Sequence, residues 1–347
     1  MSKRLAPAPQ ESSSRRIVWL APFFSLLLTG LVFVVLGEVF IRMFFPQPVL
    51  FPRWKYNPEY GLMPPPNAEM YHAIPGRWEY TYSINSEGYR GPLVDRQAAL
   101  RSSAVVVLGD SYTMGVGVND GEEYARVMAG ELGDDFSVIN LGSGGWGLTH
   151  QIRRFHEFGA SFEPEVVILQ FCQNDPFENL VHPVTILSDG QLVHRNTVGR
   201  ISPFRQFLAS SGLLQRSQIY ALVRSAYLAR SDRTLAAPTA KPDKPPAGPP
   251  KRDSFYVQLL GPFVRELVAA GTRVIMISVN NEINNAPTIY QSVLEMDSQG
   301  LLEYADVVPW FDGVEDYASP EGHRWGVLGH RIIGQQLAAL ILQAAPN

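Results

Sequence analysis

The sequence predicts an α/β fold, a mostly parallel sheet with helices on both faces, preceded by a single membrane-crossing helix. Apolar runs rich in β-branched residues recur at 105–108, 136–140, 165–171 and 273–279. A strand apolar on both sides belongs inside a covered parallel sheet. Between these runs, 121–133, 148–160 and 254–271 carry helix-like apolar spacing, and a last helical pattern covers about 327–343. Strands alternating with helices in this way imply crossover connections and helices on both faces. The third observation is the charge-free run 17–36 near the N-terminus.

That run has twenty residues, enough at about 1.5 Å each to cross a hydrocarbon layer of about 30 Å. Lys3, Arg4, Arg15 and Arg16 precede it. By the positive-inside rule they hold the N-terminus in the cytoplasm, so the rest of the chain would lie beyond the inner membrane, in the periplasm of a bacterium. A cleaved signal peptide has a shorter apolar core and a small-residue cleavage site. Here the apolar pattern continues to Phe45 with no A-x-A sequence, which favours an uncleaved anchor over 17–37 after a cytoplasmic segment 1–16.

With 347 residues the chain can bury a sizeable core. A formal charge of −4 and a pI near 6.0 give no reason to expect a nucleic-acid partner. Cys172 is the single cysteine, which excludes an intrachain disulfide and a cysteine-based zinc site.

Residues 38–103 read as a stalk and N-terminal extension. Pro46, Pro48, Pro52 and Pro64 to Pro66 suggest extended backbone, 78–84 alternates like a half-exposed strand, and 85–91 is turn-rich. Within the main domain, 104–347, residues 180–252 interrupt the strand–helix rhythm. Asp189-Gly190 between two apolar arms predicts a hairpin, and a helical stretch covers about 204–231. Residues 236–250 then contain six prolines and read as a surface loop. The insertion suits a cap over the sheet edge and passive decoration equally.

Polar groups gather where the strands end, and an open parallel sheet brings those ends to one edge. The first strand stops at Gly109-Asp110-Ser111, which offers a hydroxyl at that edge, although Ser and Asp also favour helix N-caps. The second runs into Asn140-Leu141-Gly142-Ser143-Gly144-Gly145, where an unobstructed N–H can donate to an oxyanion or simply belong to a tight turn. The third ends at Gln173-Asn174-Asp175, where Asn174 can aim its amide into the same crevice or form an Asx-turn. Near the C-terminus, His323 precedes the final helix and can serve Ser111 as a general base, with Glu321 two positions earlier to hold its other nitrogen. A loop histidine can also be a plain surface residue, and His330, at the start of the helix, is the rival candidate.

Taken in order, these four blocks resemble the SGNH (GDSL-like) hydrolase superfamily, in its membrane-anchored bacterial form, over roughly residues 104–345. Residues 85–91 resemble a segment that precedes the core in such members. The resemblance implies a flavodoxin-like three-layer α/β/α sandwich and a serine esterase without cofactor or metal. Ser111 would be the nucleophile and His323 the base, with Ser111, Gly145 and Asn174 forming the oxyanion hole. The substrate would be an acyl ester, with O-acetyl groups of extracytoplasmic carbohydrate or lipid as candidates. An O-acyltransferase of polysaccharide modification, or an inactive member that binds carbohydrate or a partner, are the alternatives. The family usually has an aspartate two or three residues before its histidine. Here Pro320 and Glu321 stand there, so Glu321, Asp312 and Asp316 are the candidates for the acid.

Overall fold

The computed structural model describes residues 13–49, 55–196, 202–231 and 249–343. The N-terminal part comprises α1 (Ser13–Phe44), the paired strands β1 (Lys55–Asn57) and β2 (Gly61–Met63), the paired strands β3 (Ala68–Ile74) and β4 (Trp78–Ile84), and the short α2 (Arg96–Ala99). Next come β5 (Ser103–Leu108), α3 (Ser111–Met114), α4 (Tyr124–Leu132), β6 (Phe136–Asn140), α5 (Leu148–Glu157), β7 (Val166–Phe171) and α6 (Asp175–Val181). The insertion holds β8 (Thr185–Ser188), β9 (Gln191–His194), α7 (Pro203–Ser210), α8 (Gly212–Gln215) and α9 (Gln218–Ser231). The described chain closes with α10 (Pro249–Ala269), β10 (Arg273–Ser278), α11 (Pro287–Ser298), β11 (Glu303–Ala305) and α12 (Val327–Gln343).

Five strands pair in the order β11-β10-β7-β5-β6, all parallel. Numbered by their place in the chain, this is the flavodoxin-like order 2-1-3-4-5, whose direction of winding reverses between β5 and β7. The side chains of β5 show why the sheet needs two coats. Ala104, Val106 and Leu108 pack against Ile152 of α5, Leu260 of α10 and Ile289 of α11. Val105 and Val107 point the other way, into Met128 of α4 and Leu337 of α12. The result is a three-layer α/β/α sandwich.

Several expectations need correction. The sheet has a fifth strand, β11, which is three half-buried residues at an edge and so carries no apolar run. The helical stretch 204–231 is three helices, and Ser211 caps the second through its side chain. The expected stalk is, from residue 55 onward, packed structure. Met70, Tyr80, Tyr82 and Ile84 of the β3–β4 hairpin cover Met114 and Val116 of the main domain, so the alternation read at 78–84 has a core beneath it. The Asp189-Gly190 turn does join β8 to β9, with φ of 49° and 78°, as the two-residue hairpin turn demands. Residues 236–248 of the proline-rich stretch lie outside the described residues, while Pro249 and Pro250 open α10.

In α1, Pro22–Phe44 is long and apolar enough to cross a membrane, with a mean hydropathy of 2.4 and no residue buried against the protein.

Candidate active site

The edge where β5 and β7 end is the switch point of the sheet, and Ser111 and Asn174 both sit there. Gly109 must be glycine, because a Cβ would lie 2.0 Å from Thr113 Oγ1 and 2.5 Å from Gln170 Oε1. Buried Asp110, not Ser111, caps α3, and its carboxylate accepts from the Tyr112 N–H at 3.0 Å. Ser111 is therefore the first helical residue. Its N–H has no acceptor within the helix, at the end where partial positive charge collects.

His323 comes from the loop before α12. Its Nε2 lies 3.0 Å from Ser111 Oγ, and its Nδ1 is hydrogen-bonded to Glu321 Oε1. A carboxylate at Nδ1 keeps the ring proton there and leaves Nε2 free to accept from the hydroxyl. The His323 backbone N–H also donates to Glu321 Oε1, at 3.3 Å. Neither Asp312 nor Asp316 hydrogen-bonds His323 among the described residues. His330 is fully buried, accepts from the Tyr124 N–H at 3.2 Å and stacks on the Tyr124 ring. Burial pushes its imidazole down to about 3, so it is a neutral packing residue.

Asn174 precedes α6 but makes no capping hydrogen bond with its side chain. Its Oδ1 is buried without a partner, and its amide is bonded to no group among the described residues. The carbonyl does the capping instead, accepting from Phe177 and Glu178. Gly145 is exposed with φ 72°, and its N–H donates to no protein group among the described residues. The loop that carries it is anchored to the Ser111 turn. Ser143 N–H donates to Gly109 O at 3.2 Å, and Asn140 Nδ2 to Thr113 O at 2.8 Å. A Cβ on Gly142 would come 2.6 Å from Met114 N, which explains the glycine there.

Three supporting residues escaped the sequence reading. Gln170, in the middle of an apolar strand, accepts from Asp110 N–H at 3.2 Å and from Thr113 Oγ1 at 2.9 Å. Glu282 joins two walls of the site: Oε2 accepts from the Gln173 N–H at 3.0 Å, and Oε1 from Arg324 Nε at 2.9 Å. Arg90 has a fully buried side chain that donates to the carbonyls of Met114, Gly115 and Val118 and faces Glu123 at 3.3 Å. It thereby sets the loop after α3. The signal for Gln170 was available, as a polar residue interrupting an apolar run; Arg90 lay in the 85–91 segment, whose resemblance implied no role for it, and Glu282 carried no signal.

Burial pushes the Asp110 carboxyl up and the Asp175 carboxyl well up, and the charge of Asp110 adds to the rise at Asp175. Burial and those carboxylates also raise the Cys172 thiol, which makes it a poor nucleophile. No group of three or more ligating side chains suited to a metal is present among the described residues. The insertion flanks the sheet on α5 and α10, and no residue of β8 or β9 hydrogen-bonds Ser111, Asn174 or His323 among the described residues.

No protein-family model matches the chain, and no curated protein matches it. Among solved structures it is similar to a protein described as lipolytic, of the G-D-S-L family, from Desulfitobacterium hafniense DCB-2. Identity there is 12% and the TM-score 0.42, over 69% of this chain and 99% of that one. It is also similar to Est24, a carbohydrate acetylesterase from Sinorhizobium meliloti, at 10% identity and TM-score 0.39, covering 70% and 100%. Axe2, an acetylxylan esterase from Geobacillus stearothermophilus, follows at 13% and 0.40, covering 71% and 96%.

Proposed function

We propose that the chain is a serine ester hydrolase of the SGNH kind, anchored in the inner membrane by α1 with its domain on the periplasmic side. The observation that carries the chemistry is the hydrogen-bonded series Ser111–His323–Glu321. Nε2 of His323 takes the hydroxyl proton as Ser111 Oγ attacks the ester carbonyl. The oxyanion forms among three donors with no protein acceptor among the described residues: the N–H groups of Ser111 and Gly145 and the Asn174 amide. Collapse expels the alcohol, which receives the proton from His323. Water, deprotonated by the same imidazole, then attacks the acyl-enzyme and releases the acid, restoring the serine. O-acyl groups on extracytoplasmic carbohydrate or lipid suit this chemistry and this location.

The test is labelling of the full chain with a fluorescent alkylphosphonate, followed by release of acetate from an acetylated sugar. Labelling at Ser111 together with acetate release supports the reading. Absence of labelling in a folded chain overturns it, and acetate release that requires a sugar acceptor moves the function to acyl transfer.

A further inference from the structure

Glu38 is the single acidic residue of α1, two positions past the charge-free run. It is spent on the insertion. Its Oε1 accepts from the Gln218 N–H at 2.8 Å, and its Oε2 from Ser217 Oγ at 2.9 Å and the Ile219 N–H at 3.1 Å. These are donors at the start of α9, so a carboxylate on the anchor caps a helix some 180 residues away in sequence. Arg42, one turn further on, pairs with Glu38 and donates to the Arg216 carbonyl. The Gln47 N–H donates to the side chain of Gln218. The first turn of α9 is thus fixed at the height of Glu38, about 9 Å before the end of α1 at Phe44. If the twenty charge-free residues fill the hydrocarbon, that height is its edge.

The helices that carry this anchored turn leave apolar side chains uncovered. Leu213 of α8 is 84% exposed, and Val223 and Tyr227 of α9 are 61% and 66% exposed. Leu222 is exposed beside them, and α7 adds exposed Phe204 and Phe207. Arg216 and Arg224 are exposed among them. Apolar and aromatic side chains interspersed with arginine are the composition of a segment lying in the headgroup boundary, with guanidinium groups reaching the phosphates.

We propose that α7, α8 and α9 form an interfacial platform, whose exposed apolar side chains enter the leaflet from which α1 emerges and seat the domain on that membrane. The occupant is lipid because the Glu38 and Arg42 bonds fasten the end of α8 and the start of α9 to the foot of α1, whose own apolar side chains are bare. This rests on the reading that α1 spans a bilayer, and does not depend on the esterase chemistry.

The experiment uses the full chain with an added cysteine at Phe33, Leu213, Val223 or Ser298, labelled with an environment-sensitive fluorophore. Buried Cys172 is shielded from the label. The chain is reconstituted into vesicles of phosphatidylethanolamine and phosphatidylglycerol. Lipids spin-labelled near the headgroup should quench the probes at 213 and 223 about twofold or more, and iodide should quench them poorly. The probe at 298 should behave oppositely, and that at 33 should respond to lipids labelled near the bilayer centre. Quenching at 33 with full iodide access at 213 and 223 overturns the platform and leaves the span standing. No lipid quenching at 33 overturns both. Lipid-independent shielding at 223 that vanishes on dilution of the protein assigns the face to a second copy and overturns the proposal.

Discussion

Replacing Asn174 by alanine separates chemistry from architecture. A side chain that caps a helix contributes to stability, and its loss costs about 1 kcal/mol. Asn174 makes no such bond; the capping acceptor before α6 is its carbonyl, which alanine retains. The buried Oδ1 has no partner to lose. Unfolding free energy should therefore change by less than about 0.5 kcal/mol. Removal of one oxyanion donor, by contrast, costs roughly 2.7–4 kcal/mol in the transition state, or about 10²–10³ in kcat, with KM little changed. Asn174→Asp keeps the shape but exchanges a donor for an acceptor, and should be no better than alanine. Turnover of a chromogenic acetate ester, with active protein counted by phosphonate titration, measures the first quantity; urea denaturation measures the second. Full turnover per folded molecule combined with a stability loss above about 1 kcal/mol would refute the oxyanion role and restore a structural one.

Further outcomes follow from the same atoms. His323→Ala should abolish both ester turnover and phosphonate labelling, whereas His330→Ala should lower stability and leave labelling of the folded fraction intact, as seen in gel fluorescence. Glu321→Gln should lower kcat less than loss of the base does, while Asp312→Asn and Asp316→Asn leave it unchanged; steady-state kinetics of the three variants would expose a misassigned acid. Arg90→Met leaves buried Glu123 and three carbonyls facing an apolar group and should cost about 3–5 kcal/mol in urea denaturation. Burial, with the charge of Asp110 adding to it, pushes the Glu178 carboxyl up to about 7. The native state then holds that proton to higher pH than the unfolded chain does, so stability falls as pH rises from about 4.5 to about 7, and Glu178→Gln flattens this part of the stability–pH curve.

The parts of the fold that could be read from sequence are those whose residues answer to their immediate neighbours. β5, β7 and β10 lie inside the sheet and β6, though at its edge, is five residues long and buries Ile139, so apolar runs announce all four. β11 pairs on one side only and is three partly buried residues long, too short for an apolar run, so Glu303-Tyr304-Ala305 looks like any loop. β4 was readable as alternation at 78–84, but neither its partner β3 nor the wall the two make was. What Tyr80 and Tyr82 cover is Met114 and Val116, and no local pattern announces a partner more than thirty residues away.

The same division runs through the site. Ser111, Asn174 and His323 were legible because each follows an apolar run or precedes a helix, and the topology of a parallel sheet does the rest. The groups that aim them were not. Glu282 ties the Asn174 turn to the His323 loop through residues 109 and 42 positions away, and by composition it is one glutamate among many. Its value lies in having two oxygens, one for the Gln173 N–H and one for Arg324, so that neither wall moves without the other. Arg90 works likewise, from a segment outside the sheet, on the loop after α3. Reacting groups are constrained by chemistry to a few residue types at strand ends. Positioning groups are constrained only by distance, which the fold supplies and the sequence does not state.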